Sequence, residues 1–131
     1  MPTGICGVSI ENWSGRILYD VALAVERIAA SRAAIDAVDP SAMLVGRHKN
    51  FRTLDMNVGD SIARAVAYSN AGADILFVPL ILDHGAVAEL LEAIAPKPVN
   101  VVVHRYDDTI RAFAEMGVRR CSVGASLAKA A

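Results

Sequence analysis

The sequence predicts an α/β protein built from parallel strands joined by helices, and three observations support this prediction. Short apolar runs typical of buried strands alternate with segments whose apolar residues recur at helical spacing, along all 131 residues. Asp and Gly residues stand where those helices should begin and end. No linker or low-complexity stretch divides the sequence, so we expect a single α/β domain over residues 1–131.

Five short apolar runs are the predicted strands. Because they are apolar throughout rather than alternating, we expect both of their faces to be covered, as in parallel sheets. Asn100 interrupts the fourth run, and a buried amide there needs a partner or a ligand. The five runs lie at residues 5–10, 43–47, 75–79, 99–103 and 120–124.

The predicted helices carry their own boundary signals. Asp20 precedes the first helix as its N-cap, and Asp39 ends that helix because it stands before a proline. Gly72 and Gly117 are placed for the left-handed residues that end the second and fourth helices. The later helices are expected at about residues 60–70, 86–95 and 109–116, with a last turn from residue 126.

Two architectures are compatible with this alternation. One is a five-stranded open, doubly wound sheet with helices on both faces, which is complete at this length. The other is part of a (β/α)₈ barrel, which normally takes about 250 residues. Both bind ligands at the carboxyl ends of the strands, where Glu11, Arg47, His48 and Lys49 stand. The residues alone leave both architectures open.

Composition excludes several classes of protein. With 13 Lys and Arg against 14 Asp and Glu, the chain lacks the basic stripe typical of nucleic-acid binding. No apolar run approaches the roughly 18 residues of a membrane span, and the first residues do not resemble a secretion signal, so we expect a cytoplasmic protein. Cys6 and Cys121 lie in apolar runs and are expected to be packing residues.

An ordered set of segments resembles a known family. The segments are residues 7–11, 18–28, 61–68, 71–77, 97–101 and 117–124. In this order they resemble the isocitrate lyase/phosphoenolpyruvate mutase superfamily. The resemblance implies a partial TIM-type barrel, in which this chain supplies strands four to eight and lacks the first three. It also implies Mg²⁺-dependent cleavage or formation of C–C or C–P bonds in small 2-oxo or 2-hydroxy carboxylates.

The resemblance further implies three site residues. Glu11 matches the acidic residue that approaches Mg²⁺ through water, and Arg47 matches the arginine that holds a substrate carboxylate. Asn100 matches an asparagine near the substrate. We therefore expect Glu11 and Arg47 as catalytic residues, Glu11 on the metal side, and Arg47 and Asn100 as substrate-binding residues. Without the resemblance, Glu11 is interpreted as a polar residue that starts a loop. An ion pair between Glu11 and Arg47 would then give each charge a structural partner.

Several positions depart from the family pattern. Asn12 and Lys49 each stand where the family usually has a carboxylate, and Pro79 stands where the lyases have a glutamate. Residues 13–19 contain no cysteine, although the lyases carry their catalytic cysteine in that loop. His48 and Lys49 are expected to be solvated loop residues. Because the two aspartates nearest the metal belong to the missing strands, we expect the isolated chain to be inactive.

A second hypothesis is a non-catalytic oligomeric or binding protein that retains the half-barrel scaffold. Half a barrel leaves two strand edges and an apolar inner face uncovered, which favours association. We therefore expect a homo-oligomer or a companion chain, besides a small carboxylate as the candidate substrate.

Overall fold

The computed structural model describes residues 4–49, 57–79, 81–103 and 109–130. It consists of alternating parallel strands and helices, which confirms the predicted fold class. The elements in chain order are β1 (Gly7–Glu11), α1 (Val21–Asp36), β2 (Met43–Arg47), α2 (Val58–Asn70), β3 (Ile75–Phe77), α3 (His84–Ile94), β4 (Val99–Val102), α4 (Thr109–Met116), β5 (Arg120–Ser122) and α5 (Ser126–Ala130).

The strands form one parallel sheet in the order β1-β2-β3-β4-β5, so each strand lies beside its neighbour in sequence. Right-handed crossovers between consecutive neighbours place all the helices on the same face of the sheet. A doubly wound sheet instead reverses its strand order at a switch point, so that helices cover both faces. The sequential order therefore excludes the doubly wound alternative and corresponds to five consecutive units of a barrel.

The two faces of the sheet have different surroundings. Leu44, Leu76 and Val101 point towards the helices and are buried in the core. On the opposite face, which we call the inner face because it would line a closed barrel, Ser9 is exposed and Met43 retains 44% of its accessible surface. The hydrophobic core thus lies between sheet and helices, and the inner face of the described residues stays partly open.

Local signals account for the helix ends. The carboxylate of Asp20 accepts the backbone N–H three residues later at 2.9 Å, which confirms the predicted N-cap. Gly72 and Gly117 have φ of 108° and 103°, as the predicted left-handed ends require. Asn57 and Asp83 cap α2 and α3, and both helices therefore begin two residues earlier than predicted. Among the described helices, none is long and apolar enough to cross a bilayer.

Some strand predictions were wrong at the ends. The third strand ends at Phe77 and the fifth at Ser122, each two residues before the predicted end, because the chain leaves the sheet to form the loops at its carboxyl edge. Cys6 and Cys121 are exposed rather than packed. Cys6 directly precedes β1 and Cys121 lies in β5, and these are the outer strands of the described sheet, where fewer residues cover a side chain.

Short polar contacts hold the amino-terminal edge of the sheet together. Asp74 Oδ2 accepts hydrogen bonds from Arg32 Nη1 at 2.8 Å and from the Leu44 backbone N–H at 2.7 Å. Lys97 Nζ donates to the carbonyls of Ser69 and Ala73 at 2.6 and 2.8 Å, where α2 ends. This ammonium adds charge-assisted hydrogen bonds to the carbonyl of Ser69, in the last turn of α2, and to that of Ala73, just beyond the helix. These short charged contacts thus lie at the edge of the sheet opposite the carboxyl ends of the strands.

Candidate functional site

One row of paired residues crosses the inner face of the sheet. Glu11 pairs with Arg47, Arg47 with Phe77, Phe77 with Asn100, and Asn100 with Arg120. Directly paired residues of parallel strands point to the same face, so these five side chains share the inner face. Glu11 and Arg47 are the last residues of their strands, whereas Arg120 is the first of β5, which matches the stagger of strands in a barrel.

Glu11, Arg47 and Lys49 form a charged cluster at the carboxyl edge. Arg47 Nε lies 3.4 Å from Glu11 Oε2, and Lys49 Nζ lies 3.6 Å from Glu11 Oε1. Both distances exceed the 2.7–2.9 Å typical of charge-assisted hydrogen bonds. The three side chains are 26–33% exposed. One carboxylate therefore stands loosely between two cations, and the cluster carries a net charge of +1.

Aromatic rings support both cations. The Arg47 guanidinium carbon lies 5.1 Å from the centre of the Phe77 ring, and Lys49 Nζ lies 5.8 Å from the centre of the Trp13 ring. A ring face attracts a cation at such distances. The two positive charges are thus each held against the face of an aromatic ring.

Behind this cluster, Asn12 and His48 form a buried hydrogen-bonded bracket. Asn12 Nδ2 donates to His48 Nδ1 at 2.7 Å, and Asn12 Oδ1 accepts the backbone N–H of Lys49 at 2.9 Å. The backbone N–H of His48 also donates to the carbonyl of Phe77 at 2.9 Å. Asn12 and His48 are only 2% and 1% exposed. The bracket therefore fixes the strand end from which Arg47 and Lys49 project.

This bracket corrects the prediction that His48 and Lys49 are solvated loop residues. His48 is fully buried because it follows Arg47 in extended chain and so points to the opposite side, towards α2. Lys49 is only partly exposed, because its ammonium turns towards Glu11 and Trp13.

The buried imidazole of His48 is neutral. Burial, with the nearby charge of Arg64 and against that of Asp60, lowers the pKa of His48 from 6.5 to about 4. Because Nδ1 accepts from Asn12, the ring proton lies on Nε2, which has no hydrogen-bond partner among the described residues. His48 thus contributes no charge to the cluster at neutral pH.

Asn100 lies apart from the charged cluster. It is 1% exposed, and its Nδ2 donates to Ser122 Oγ at 3.1 Å. Its Oδ1 is buried and has no hydrogen-bond partner within the described ranges. Two strand spacings, about 10 Å, separate the backbone of Asn100 from that of Arg47, with Phe77 between them. The structure therefore brings Glu11 and Arg47 together and leaves Asn100 on the same face without contact to them.

The donor set at this edge does not fit Mg²⁺, which the resemblance implies. Mg²⁺ takes oxygen ligands in near-octahedral geometry. Both oxygens of Glu11 already face cations, and the side-chain oxygen of Asn12 accepts the N–H of Lys49. Within the described part of the chain, no group of three or more His, Cys, Asp or Glu side chains could hold a metal. These residues by themselves do not form a magnesium site.

Sequence reasoning missed Lys49 as a member of the cluster and Asn12 with His48 as its support. The available signal was that Asn12, His48 and Lys49 all depart from the family pattern at two neighbouring strand ends. Residues that depart together at adjacent positions are candidates for direct contact.

Comparisons with known proteins show which family the sequence matches. A family model described as phosphoenolpyruvate phosphomutase matches residues 1–131. An uncharacterized protein of Mycobacterium tuberculosis is 36% identical over 119 residues, which cover 90% of this chain and 44% of that protein.

Solved structures agree with this match. A Burkholderia cenocepacia protein provisionally named a lyase/mutase is 38% identical with a TM-score of 0.85, and the match covers 95% of this chain and 46% of that one. For 2,3-dimethylmalate lyase the identity is 24%, the TM-score 0.78 and the coverage 93% and 45%, a likeness of fold. The chain thus spans about half the length of these relatives.

Proposed function

This chain belongs to the phosphoenolpyruvate phosphomutase family, and we propose that it binds a small 2-oxo or 2-hydroxy carboxylate through Arg47. The observation that carries the proposal is the surplus positive charge of the Glu11–Arg47–Lys49 cluster on the inner face. A planar guanidinium suits a carboxylate because its donors match both carboxylate oxygens. The proposed substrate class is that of the C–C and C–P bond chemistry implied by the resemblance.

The loose ion pair of Arg47 supports a binding role over a purely structural one. Arg32 and Arg64 hold Asp74 and Asp60 at 2.8 and 2.9 Å, as structural ion pairs do. Arg47 instead approaches Glu11 at 3.4 Å without forming an aligned hydrogen bond through its Nε. A ligand carboxylate could therefore engage Arg47 without first breaking a tight contact.

Turnover by this chain alone is not part of the proposal. Cleavage of a bond beside a carboxylate leaves an electron pair that an electrophile must stabilise, and a general acid or base must move a proton. Here Asn12, Lys49 and Pro79 replace family carboxylates, and His48 is turned away from the inner face. Glu11 stands between two cations and is a candidate to orient ligand rather than to hold metal. We therefore propose binding without catalysis by the isolated chain.

Calorimetric titration with oxalate, the smallest dicarboxylate, tests this proposal. The wild-type chain is expected to bind oxalate, Arg47→Ala to lose about tenfold or more in affinity, and Arg47→Lys to recover part of it. The matched control is R111A, since Arg111 is an exposed arginine of α4. Equal affinity of R47A and wild type would contradict the proposal. Rapid release of a 2-oxo acid from oxaloacetate by the pure chain would contradict the absence of catalysis.

A second candidate function is that of a non-catalytic oligomeric or binding protein, and open surfaces favour it. Among the described strands, β1 pairs only with β2 and β5 only with β4. Beside β1, an apolar cavity of about 340 Å³ is lined partly by Ile5, Ile35 and Val38, and Val38 is 87% exposed. Burying such edges and apolar surface stabilises an assembly.

Sedimentation velocity tests the second candidate. We expect a homodimer or a larger complex, because an uncovered sheet edge pairs readily with another strand. A stable monomer that does not aggregate would contradict it. Binding of oxalate by an oligomer would be compatible with both functions, since the cluster and the outer edge of β1 are separate surfaces.

A further inference from the structure

Lys49 makes the net charge of the Glu11–Arg47–Lys49 cluster positive, which the family chemistry does not imply. The family usually has a carboxylate at this position, and a carboxylate there would leave the cluster with a net charge of −1. With Lys49 in place, the three described side chains Glu11, Arg47 and Lys49 together carry one surplus positive charge. Like charges repel, so the edge disfavours a divalent cation and favours an anion.

The position of Lys49 is built into the fold. Its backbone N–H is held by the side chain of Asn12, which is itself fixed by the buried imidazole of His48. An aspartate at position 12 could accept this N–H but could not donate to Nδ1 of a neutral imidazole. Asn12 and His48 therefore depend on each other, and together they fix the backbone from which the Lys49 side chain projects.

We propose that this site binds small dicarboxylate or 2-oxo acid anions without a divalent cation, with the Lys49 ammonium supplying the positive charge that Mg²⁺ supplies in the family. This inference rests on the proposed function, because it assumes that Arg47 holds one carboxylate group. Lys49 then faces the second oxyanion of the ligand. An ammonium carries three donors on a compact charge and can approach such an oxygen from several directions.

Oxalate titration in the presence of EDTA, and again with excess Mg²⁺, tests this inference. The expected result is binding in EDTA, with no gain in affinity when Mg²⁺ is added. Lys49→Met is expected to lower the affinity about tenfold or more, since it removes a charged donor, whereas Lys49→Arg stays within a few-fold of wild type. K129M, on the exposed face of α5, is the matched control and is expected to bind like wild type. Mg²⁺ titrated alone is expected to give no binding heat.

The outcomes separate this inference from the proposed function. Oxalate binding that requires Mg²⁺ would overturn the inference and leave carboxylate binding by Arg47 intact. Binding in EDTA that is unchanged in K49M would also overturn it, because the charge of Lys49 would then be irrelevant. The absence of oxalate binding under both conditions would overturn the proposed function and the inference with it. Circular dichroism of K49M and K49R checks that both variants retain the fold.

Discussion

Asn12 Nδ2 and His48 Nδ1 lie 2.7 Å apart in a hydrogen bond that is buried beneath the charged edge of the sheet. The contact joins the end of β1 to the end of β2, which are the strands that carry Glu11 and Arg47. An amide donor can make this bond only to an unprotonated ring nitrogen. The protonation state of His48 and the identity of residue 12 are therefore coupled.

The substitution Asn12→Asp is expected to raise the pKa of His48. In the wild type, burial and Arg64 lower this pKa to about 4. A carboxylate in place of the amide favours the imidazolium, and such an opposite charge raises a histidine pKa by about 1–3 units. Titration of the His48 ring followed by NMR measures the change. N70D, an exposed Asn→Asp change at the end of α2, is the control, and an unchanged His48 pKa in N12D would show that the two groups do not interact.

The free energy of unfolding is expected to fall between about pH 7.5 and pH 5 because of His48. Its folded pKa of about 4 lies below the ordinary histidine value of 6.5, so the unfolded chain binds this proton first as the pH falls. The stabilisation is fully present above pH 6.5 and is lost progressively towards pH 4. The free energy of unfolding is expected to be about 2 kcal/mol lower at pH 5 than at pH 7.5 because of this group.

Urea unfolding at pH 7.5 and at pH 5 measures this loss of stability, with His48→Asn as the matched variant. Asparagine keeps an acceptor near the position of Nδ1 but does not titrate. The difference between wild type and H48N isolates His48 from other groups. Equal pH dependence of the two proteins would contradict a buried neutral imidazole.

The fold was predictable where local signals act alone. Asp20 and Gly72 define helix ends through the conformation of a few neighbouring residues, and both predictions are confirmed. The choice between a half barrel and a doubly wound sheet depends on strand order. Strand order arises from contacts between distant segments, so residue patterns alone left both architectures open.

The site was predictable only in part for the same reason. Glu11 and Arg47 were expected together because both stand at strand ends, and the register pairs them directly. The burial of His48 could not be predicted from its neighbours in sequence, since α2 covers it and Asn12 contacts it from 36 residues away. Lys49 is predicted to be solvated, because its neighbours in sequence do not reveal its contacts. The residues that it contacts, Glu11 and Trp13, lie more than 30 positions away along the chain.

The substitution Gly46→Ala is expected to destabilise the protein. A Cβ at this position would lie 3.0 Å from Ala73 Cβ and 3.2 Å from Tyr68 Cβ, both in the core between β2 and the helices. Overpacking of this kind typically costs about 1–3 kcal/mol. Urea unfolding measures the change. The control is G59A, at the exposed start of α2, where the nearest atom to the added Cβ is Oδ1 of the N-cap Asn57 at 3.2 Å. A G46A protein as stable as G59A would contradict the packing of β2 against α2.

The substitution Asn100→Val is expected to leave stability unchanged or to raise it by up to about 1 kcal/mol. It removes the hydrogen bond to Ser122, but it also removes a buried Oδ1 that has no hydrogen-bond partner among the described residues. An unsatisfied buried acceptor costs free energy, so its removal offsets the lost bond. Thermal unfolding of N100V is compared with that of S122A, which removes the acceptor of that bond and the long hydrogen bond from Ser122 Oγ to the Val101 carbonyl at 3.4 Å.

S122A is expected to be less stable than N100V, because it leaves both polar atoms of the Asn100 amide buried without that partner. Oxalate affinity should stay unchanged in both variants, since the Asn100 backbone is about 10 Å from that of Arg47. A loss of several kcal/mol in N100V would identify Asn100 as a structural residue.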